Sequence, residues 1–128
     1  MTLEIGICTE SEVVVSDTNT ALNVGSGCLP IFATPMLIAL MENAAVKCVD
    51  NYLDTTSTTV GIAINVEHTK ASPIGEKIVA KATLIEINGR ELLFDVEACG
   101  ESGLIAKGKH KRFIVNVEKF MNKLKCQK

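Results

Sequence analysis

Phe32-Ala-Thr-Pro-Met-Leu-Ile-Ala-Leu-Met-Glu-Asn-Ala-Ala-Val-Lys-Cys-Val49 is the longest apolar run of the chain, and it contains a single carboxylate, Glu42. The run opens with Thr34-Pro35. Thr is a preferred N-cap and Pro suits the first helical turn, so a helix is expected to start there and to end near Tyr52. In that helix the neighbours of Glu42 at three, four and seven residues are Ile38, Ala39, Ala45, Val46 and Val49, all apolar. Asn43, Lys47, Asp50 and Asn51 recur at helical spacing and form the wet side. Glu42 is therefore expected on the buried face. A carboxylate in that position is costly unless it is paired, so it has either a structural partner or chemistry to perform.

Outward from the helix the signals change to period two. Residues 4–15 read as a first strand ending in Val13-Val14-Val15, and the polar, glycine-bearing residues 16–31 as loop. Beyond the helix, Asp54–Thr59 is a polar turn. Residues 60–70 then alternate, with Ile62, Ile64, Val66 and His68 on one face and Gly61, Ala63, Asn65 and Glu67 on the other. Ser72–Gly75 is a turn, and residues 77–87 form a strand. Asn88-Gly89 predicts a type I′ hairpin, residues 90–99 return, and 103–116 make the last long strand. A short amphipathic helix follows, with Val117, Phe120, Met121 and Leu124 on one side. A helix as apolar as 32–49 needs to be wrapped. The order predicts an α+β hotdog fold, a curved antiparallel β-sheet around one long central α-helix.

Composition excludes several function classes. The 128 residues suit a single domain, 1–128, with one core. A net charge of -2 gives no reason to expect nucleic acid as a partner. Every apolar stretch long enough to span a bilayer is interrupted by charge, so no membrane segment is expected. The first residues lack a signal-peptide pattern, and Cys8, Cys28, Cys48, Cys99 and Cys126 are scattered without a C-x-x-C pair. Both features point to a cytoplasmic protein with reduced thiols, and the cysteines read as small core residues, with Cys28 in the loop as the exposed exception. His68 and His110 show no ligand-like spacing to the cysteines, so no metal is expected.

Three polar side chains stand out around the helix. Thr34 caps it, Glu42 lies eight residues on, and His68 points with the core-facing residues of its strand. A hydroxyl, a carboxylate and an imidazole converging in one pocket can position water, activate a nucleophile and protonate a leaving group. Each also has a plainer role: Thr34 as an N-cap, Glu42 as partner of a buried cation, His68 as a structural histidine. Eight helical residues separate Thr34 from Glu42 by about 12 Å along the axis, so one site would need a substrate that spans them or a later helix start. The alternating run Lys107, Lys109, His110, Lys111, Arg112 is either a solvated face or a source of cations for a phosphorylated ligand.

The block Phe32-Ala-Thr34-Pro…Leu40-Met-Glu42-Asn-Ala-Ala, then Gly61, Glu67-His68-Thr-Lys-Ala-Ser-Pro-Ile-Gly75 and Lys109-His110-Lys111-Arg112, resembles the fluoroacetyl-CoA thioesterase-like group of hotdog thioesterases. The resemblance implies a thioesterase acting on an acyl-CoA substrate, with Thr34, Glu42 and His68 catalytic. It places Gly61 by the acyl group and Arg112 in the site region; Lys109 and Lys111 of the basic run are the candidates for substrate phosphates. It implies a homodimer or dimer of dimers with sites at the interface, and no cofactor, because coenzyme A enters on the substrate. One departure is clear. The fluoroacetyl-specific enzyme resembles a pocket lidded by phenylalanines before the helix, whereas residues 20–31 here hold no aromatic. Selectivity for a fluorinated acyl group is therefore not expected. The rival classes are a hotdog hydratase or dehydratase on acyl thioesters and a non-catalytic acyl-CoA-binding module.

Overall fold

The computed structural model describes residues 2–126; Met1, Gln127 and Lys128, part of the expected 1–128 span, lie outside them. Strand β1 (Cys8–Val14) leads through a short 3₁₀ turn (Asp17–Asn19) and α1 (Ala21–Val24) into the long α2 (Thr34–Asp50). Then come β2 (Ser57–His68), β3 (Lys77–Asn88), β4 (Glu91–Gly100), β5 (Gly103–Asn116) and α3 (Val117–Lys125). The strands form one antiparallel sheet in the order β1-β3-β4-β5-β2. Helix α2 lies on one face of that sheet. It buries Leu37, Met41, Ala44, Ala45, Cys48 and Val49 against sheet residues including Ile78, Leu84, Leu92, Phe94 and Ile105. Fully burying each large aliphatic or aromatic side chain stabilises by about 1.5–3 kcal/mol. This is the α+β hotdog fold.

Several expectations need correction. The first strand begins at Cys8 rather than residue 4, because Gly6 at φ 104° turns the chain there. Residues 16–31 are not plain loop. The Ser16 N–H donates to the Asn19 side chain (2.9 Å) and the Asn23 N–H to the Thr20 hydroxyl (3.2 Å), which nucleates two short helical turns. At the hairpin, Asn88 pairs with Glu91, so the two central residues are Gly89 and Arg90. Gly89 alone has positive φ there, the pattern of a type II′ turn rather than type I′. Cys48 is the one buried cysteine; Cys8, Cys99 and Cys126 are exposed, like Cys28.

Two corrections bear on the site. Thr34 is the first helical residue, and the N-cap is Ala33, with no side-chain cap bond. The Thr34 hydroxyl is therefore free for another partner. In β2 the register shifts between Gly61 and Ala63. This bulge adds a residue and breaks the expected alternation. Gly61 faces the helix, and Ile62 turns outward at 49% exposure. Among the described residues, no helix is long and apolar enough to cross a membrane.

Candidate active site

Helix α2 begins where β2 ends, and the Thr34 hydroxyl meets the His68 Nδ1 there at 2.8 Å. Burial pushes the His68 imidazole below its ordinary range, partly offset by the Lys70 backbone. A desolvated ring is held neutral. Whichever tautomer it adopts, its Nε2 is buried without a protein partner. The helix start offers little more. Pro35 has no N–H, and the Met36 and Leu37 N–H groups both turn back to the Ala33 carbonyl at 3.0 Å. Of the N–H groups at the helix start, that of Thr34 remains without a backbone acceptor. A cleft of about 330 Å³ opens beside this pair, lined by Cys28, Leu29, Phe32, Thr34, His68 and Lys70.

Glu42 stands elsewhere. It flanks the buried stripe of α2 rather than joining it, and its side chain keeps 40% of its exposure. The expected full burial does not hold in one chain, because the stripe runs through Leu37, Met41, Ala44 and Cys48, one position before the assumed Ile38, Glu42, Ala45 and Val49. The plain alternative of a buried cation is met in part: Arg112 Nη1 lies 4.0 Å from Glu42 Oε2. Arg112 comes from β5 opposite Gly61 and retains only 8% side-chain exposure. Its Nε donates to the Thr59 hydroxyl (2.8 Å) and its Nη2 to the Thr59 carbonyl (2.9 Å). Nη1 lies 3.1 Å from His110 Nε2. Burial lowers the arginine from its ordinary value and Glu42 opposes that shift; a guanidinium stays charged regardless. Gly61 makes room for the cluster. A Cβ there would meet Glu42 Oε2 at 3.0 Å, Arg112 Nη1 at 3.3 Å and His110 Cε1 at 3.3 Å.

The structure thus joins Thr34 to His68, and Glu42 to Gly61 and Arg112, as two clusters. They are spaced by the about 12 Å that eight helical residues impose. It does not bring Lys109 and Lys111 to either. Both point from β5 to the sheet face away from α2, where Lys109 pairs with Asp95 and Lys111 with Glu91. A larger groove of about 740 Å³ lies on that outer face, among Lys81, Asp95, Glu97, Lys107 and Lys109. Its size is no guide to chemistry, since it contains neither histidine nor Glu42. Two residues of the Arg112 cluster were not candidates from the sequence. Thr59 reads in the sequence as the end of a polar turn but lies in β2. His110 sat within a basic run, and its position two residues before Arg112 on one strand face was the available signal.

Comparison with known proteins agrees with this fold. Residues 15–118 match the family of FlK, the fluoroacetyl-CoA-specific thioesterase. The fluoroacetyl-CoA thioesterase of Streptantibioticus cattleyicolor is 36% identical over 95 residues, 74% of this chain and 68% of that protein. A crystal structure of the fluoroacetyl-CoA thioesterase FlK superposes with a TM-score of 0.93 at 28% identity, covering 100% of this chain and 99% of that one. A thioesterase-superfamily protein of Thermus thermophilus superposes with a TM-score of 0.86 at 25% identity, covering 95% and 93%. The chain belongs to the fluoroacetyl-CoA-specific thioesterase family and is an acyl-CoA thioesterase of the hotdog superfamily.

Proposed function

We propose that the chain hydrolyses small acyl-CoA thioesters to the free acid and coenzyme A, with Glu42 as nucleophile or general base assisted by Thr34 and His68. The observation that carries this reading is the 2.8 Å bond between Thr34 and His68, which leaves His68 Nε2 buried and open. The Thr34 N–H and hydroxyl suit the oxygen of a tetrahedral intermediate, since the positive end of the helix dipole favours charge there. Either Glu42 takes a proton from the water that attacks the carbonyl, or its carboxylate attacks to form a mixed anhydride that water then cleaves to the free acid. The C–S bond then breaks, and the departing thiolate accepts a proton relayed by His68. Gly61 and Arg112 border the acyl group. Coenzyme A is cargo on the substrate and no further cofactor is required.

The two clusters serve one site in a homodimer. Strand β2 is a 12-residue edge with Gly61, Ile62 and Ala63 exposed, and a free edge of that length invites pairing with another strand. Two copies joined antiparallel about an axis near Ile64 and Asn65 set Gly61 of one opposite His68 of the other. That arrangement brings Glu42 of one copy towards Thr34 and His68 of the second. The free cysteines support a reducing compartment, the cytoplasm. Residues 20–31, which supply Cys28 and Leu29 to the cleft wall, bring no aromatic ring. Small acyl groups are therefore the proposed substrates, with no selectivity for a fluorinated one.

A thiol-release assay over short, branched and aromatic acyl-CoAs tests the reading. Coenzyme A and free acid are expected in equal amounts from a short acyl-CoA. Hydration of an enoyl-CoA without thiol release would make the chain a hydratase, and binding without turnover would make it an acyl-CoA-binding module.

A further inference from the structure

We propose that His110 is a positioning residue for catalysis: its neutral imidazole, anchored on the Ala63 carbonyl, holds the Arg112 guanidinium against Glu42 and Gly61. The inference rests on the reading that Glu42 and Arg112 border the acyl group. His110 is 1% exposed, and its Nδ1 lies 2.8 Å from the Ala63 carbonyl. A carbonyl oxygen only accepts, so Nδ1 carries the hydrogen. In the neutral ring Nε2 is then an acceptor, and Arg112 Nη1 donates to it at 3.1 Å. The tautomer is thus set by the chain itself. The bulge at Gly61 and Ala63 supplies the anchoring carbonyl, and the Phe94 ring, with its centroid at 6.3 Å, covers the imidazole from β4.

Thr59 holds Nε and one Nη2 hydrogen, so one hydrogen stays free on each of Nη1 and Nη2. At 4.0 Å, Nη1 and Glu42 Oε2 are too far apart for a direct hydrogen bond. The free Nη1 hydrogen is therefore available to a substrate oxygen or to water in the space that Gly61 leaves open. A protonated His110 would turn Nε2 into a donor and set two cations 3.1 Å apart, which expels Arg112 from this position. The charged groups facing the ring are Arg112 on β5 and Glu42 on α2; β2 presents Gly61 and Thr59, and β4 presents Phe94. Burial holds the imidazole below its ordinary range, and Arg112 adds to that effect. The Ala63 carbonyl and Glu42 oppose it. The support for Arg112 is thus intact at neutral pH and fails in acid.

The test combines ring ¹⁵N NMR with kinetics of His110→Leu and His110→Gln, each with Arg112 intact and with Arg112→Ala. The wild type should show a neutral ring protonated on Nδ1 at pH 7. His110→Leu should lower kcat roughly 10- to 100-fold, the scale of a small misplacement at a reacting centre, with little change in KM. The same change made in Arg112→Ala should cost nothing further. His110→Gln, which can accept from Arg112 and donate to Ala63, should keep most of the activity and lose one acid limb of the pH profile. A ring that is charged or protonated on Nε2 overturns the inference whatever the activity. Full activity of His110→Leu alongside a crippled Arg112→Ala overturns the inference alone. Full activity of Arg112→Ala overturns both it and the role given to Arg112 above.

Discussion

Glu42 pairs with Arg112 at a distance where a half-exposed carboxylate contributes at most about 1 kcal/mol to stability. Arg112 would keep its bonds to Thr59 and His110 without it. Glu42→Gln is therefore expected to leave the melting temperature nearly unchanged while cutting kcat by roughly 10²–10⁴, because an amide is neither base nor nucleophile at neutral pH. Both quantities should be measured on one preparation; a destabilised protein with full activity would return Glu42 to a structural role. Gly61→Ala probes the same spot from below. Its methyl would stand 3.0 Å from the movable Glu42 carboxylate and 3.3 Å from the held Arg112 and His110. The carboxylate yields, so stability should change by no more than about 1 kcal/mol, whereas kcat should fall about tenfold. An unchanged kcat in a folded Gly61→Ala protein would remove the acyl group from this corner.

The two faces of the sheet divide the labour of β5. His110 and Arg112 point to α2, and Lys107, Lys109 and Lys111 point away. On the outer face one lateral row crosses all five strands as Glu10, Lys81, Glu97, Lys107 and Glu67. Opposite charges alternate along it, so the row stabilises itself as a solvated surface. Lys109 and Lys111 have carboxylate partners of their own, Asp95 and Glu91. Reversing both lysines to Glu should therefore leave kcat and KM for an acyl-CoA within about twofold, since uniform binding contacts are what KM would report. A salt-sensitive rise in KM would instead assign the outer face to coenzyme A phosphates.

For the whole molecule, two consequences follow from what one chain leaves unfinished. A site divided between copies predicts a particle of twice the 13.7 kDa chain mass in light scattering, and specific activity that falls on dilution as dimers dissociate. An active monomer would end the shared-site proposal. The second consequence is pH dependence. Burial lowers both His68 and His110 in the folded chain, so the unfolded chain binds those protons first as pH falls. Their contribution to stability is complete above the ordinary imidazole value of about 6.5. It is lost as pH falls from there through the folded values. Denaturant midpoints should decline over that window, and His68→Gln and His110→Gln should each flatten the decline.

Periodicity alone determined the elements: the apolar run 32–49 as one wrapped helix, and period-two stretches around Asn88-Gly89 and through 103–116 as an antiparallel sheet. These are local patterns, and burial of an apolar stripe leaves few alternatives. Thr34, Glu42 and His68 stand out as candidates in the sequence because polar groups among apolar neighbours are costly and so conspicuous. Tertiary structure decided the rest. The bulge at Gly61 and Ala63 inverted half a strand, and a one-residue slip is invisible in an alternating pattern. The face of α2 shifted by one position, enough to move Glu42 from the core to its flank. Thr34 lost its capping role because the chain enters the helix through Ala33. The choice of Thr59 as a partner that holds Arg112 depends on strand register between β2 and β5, which no spacing along the chain records.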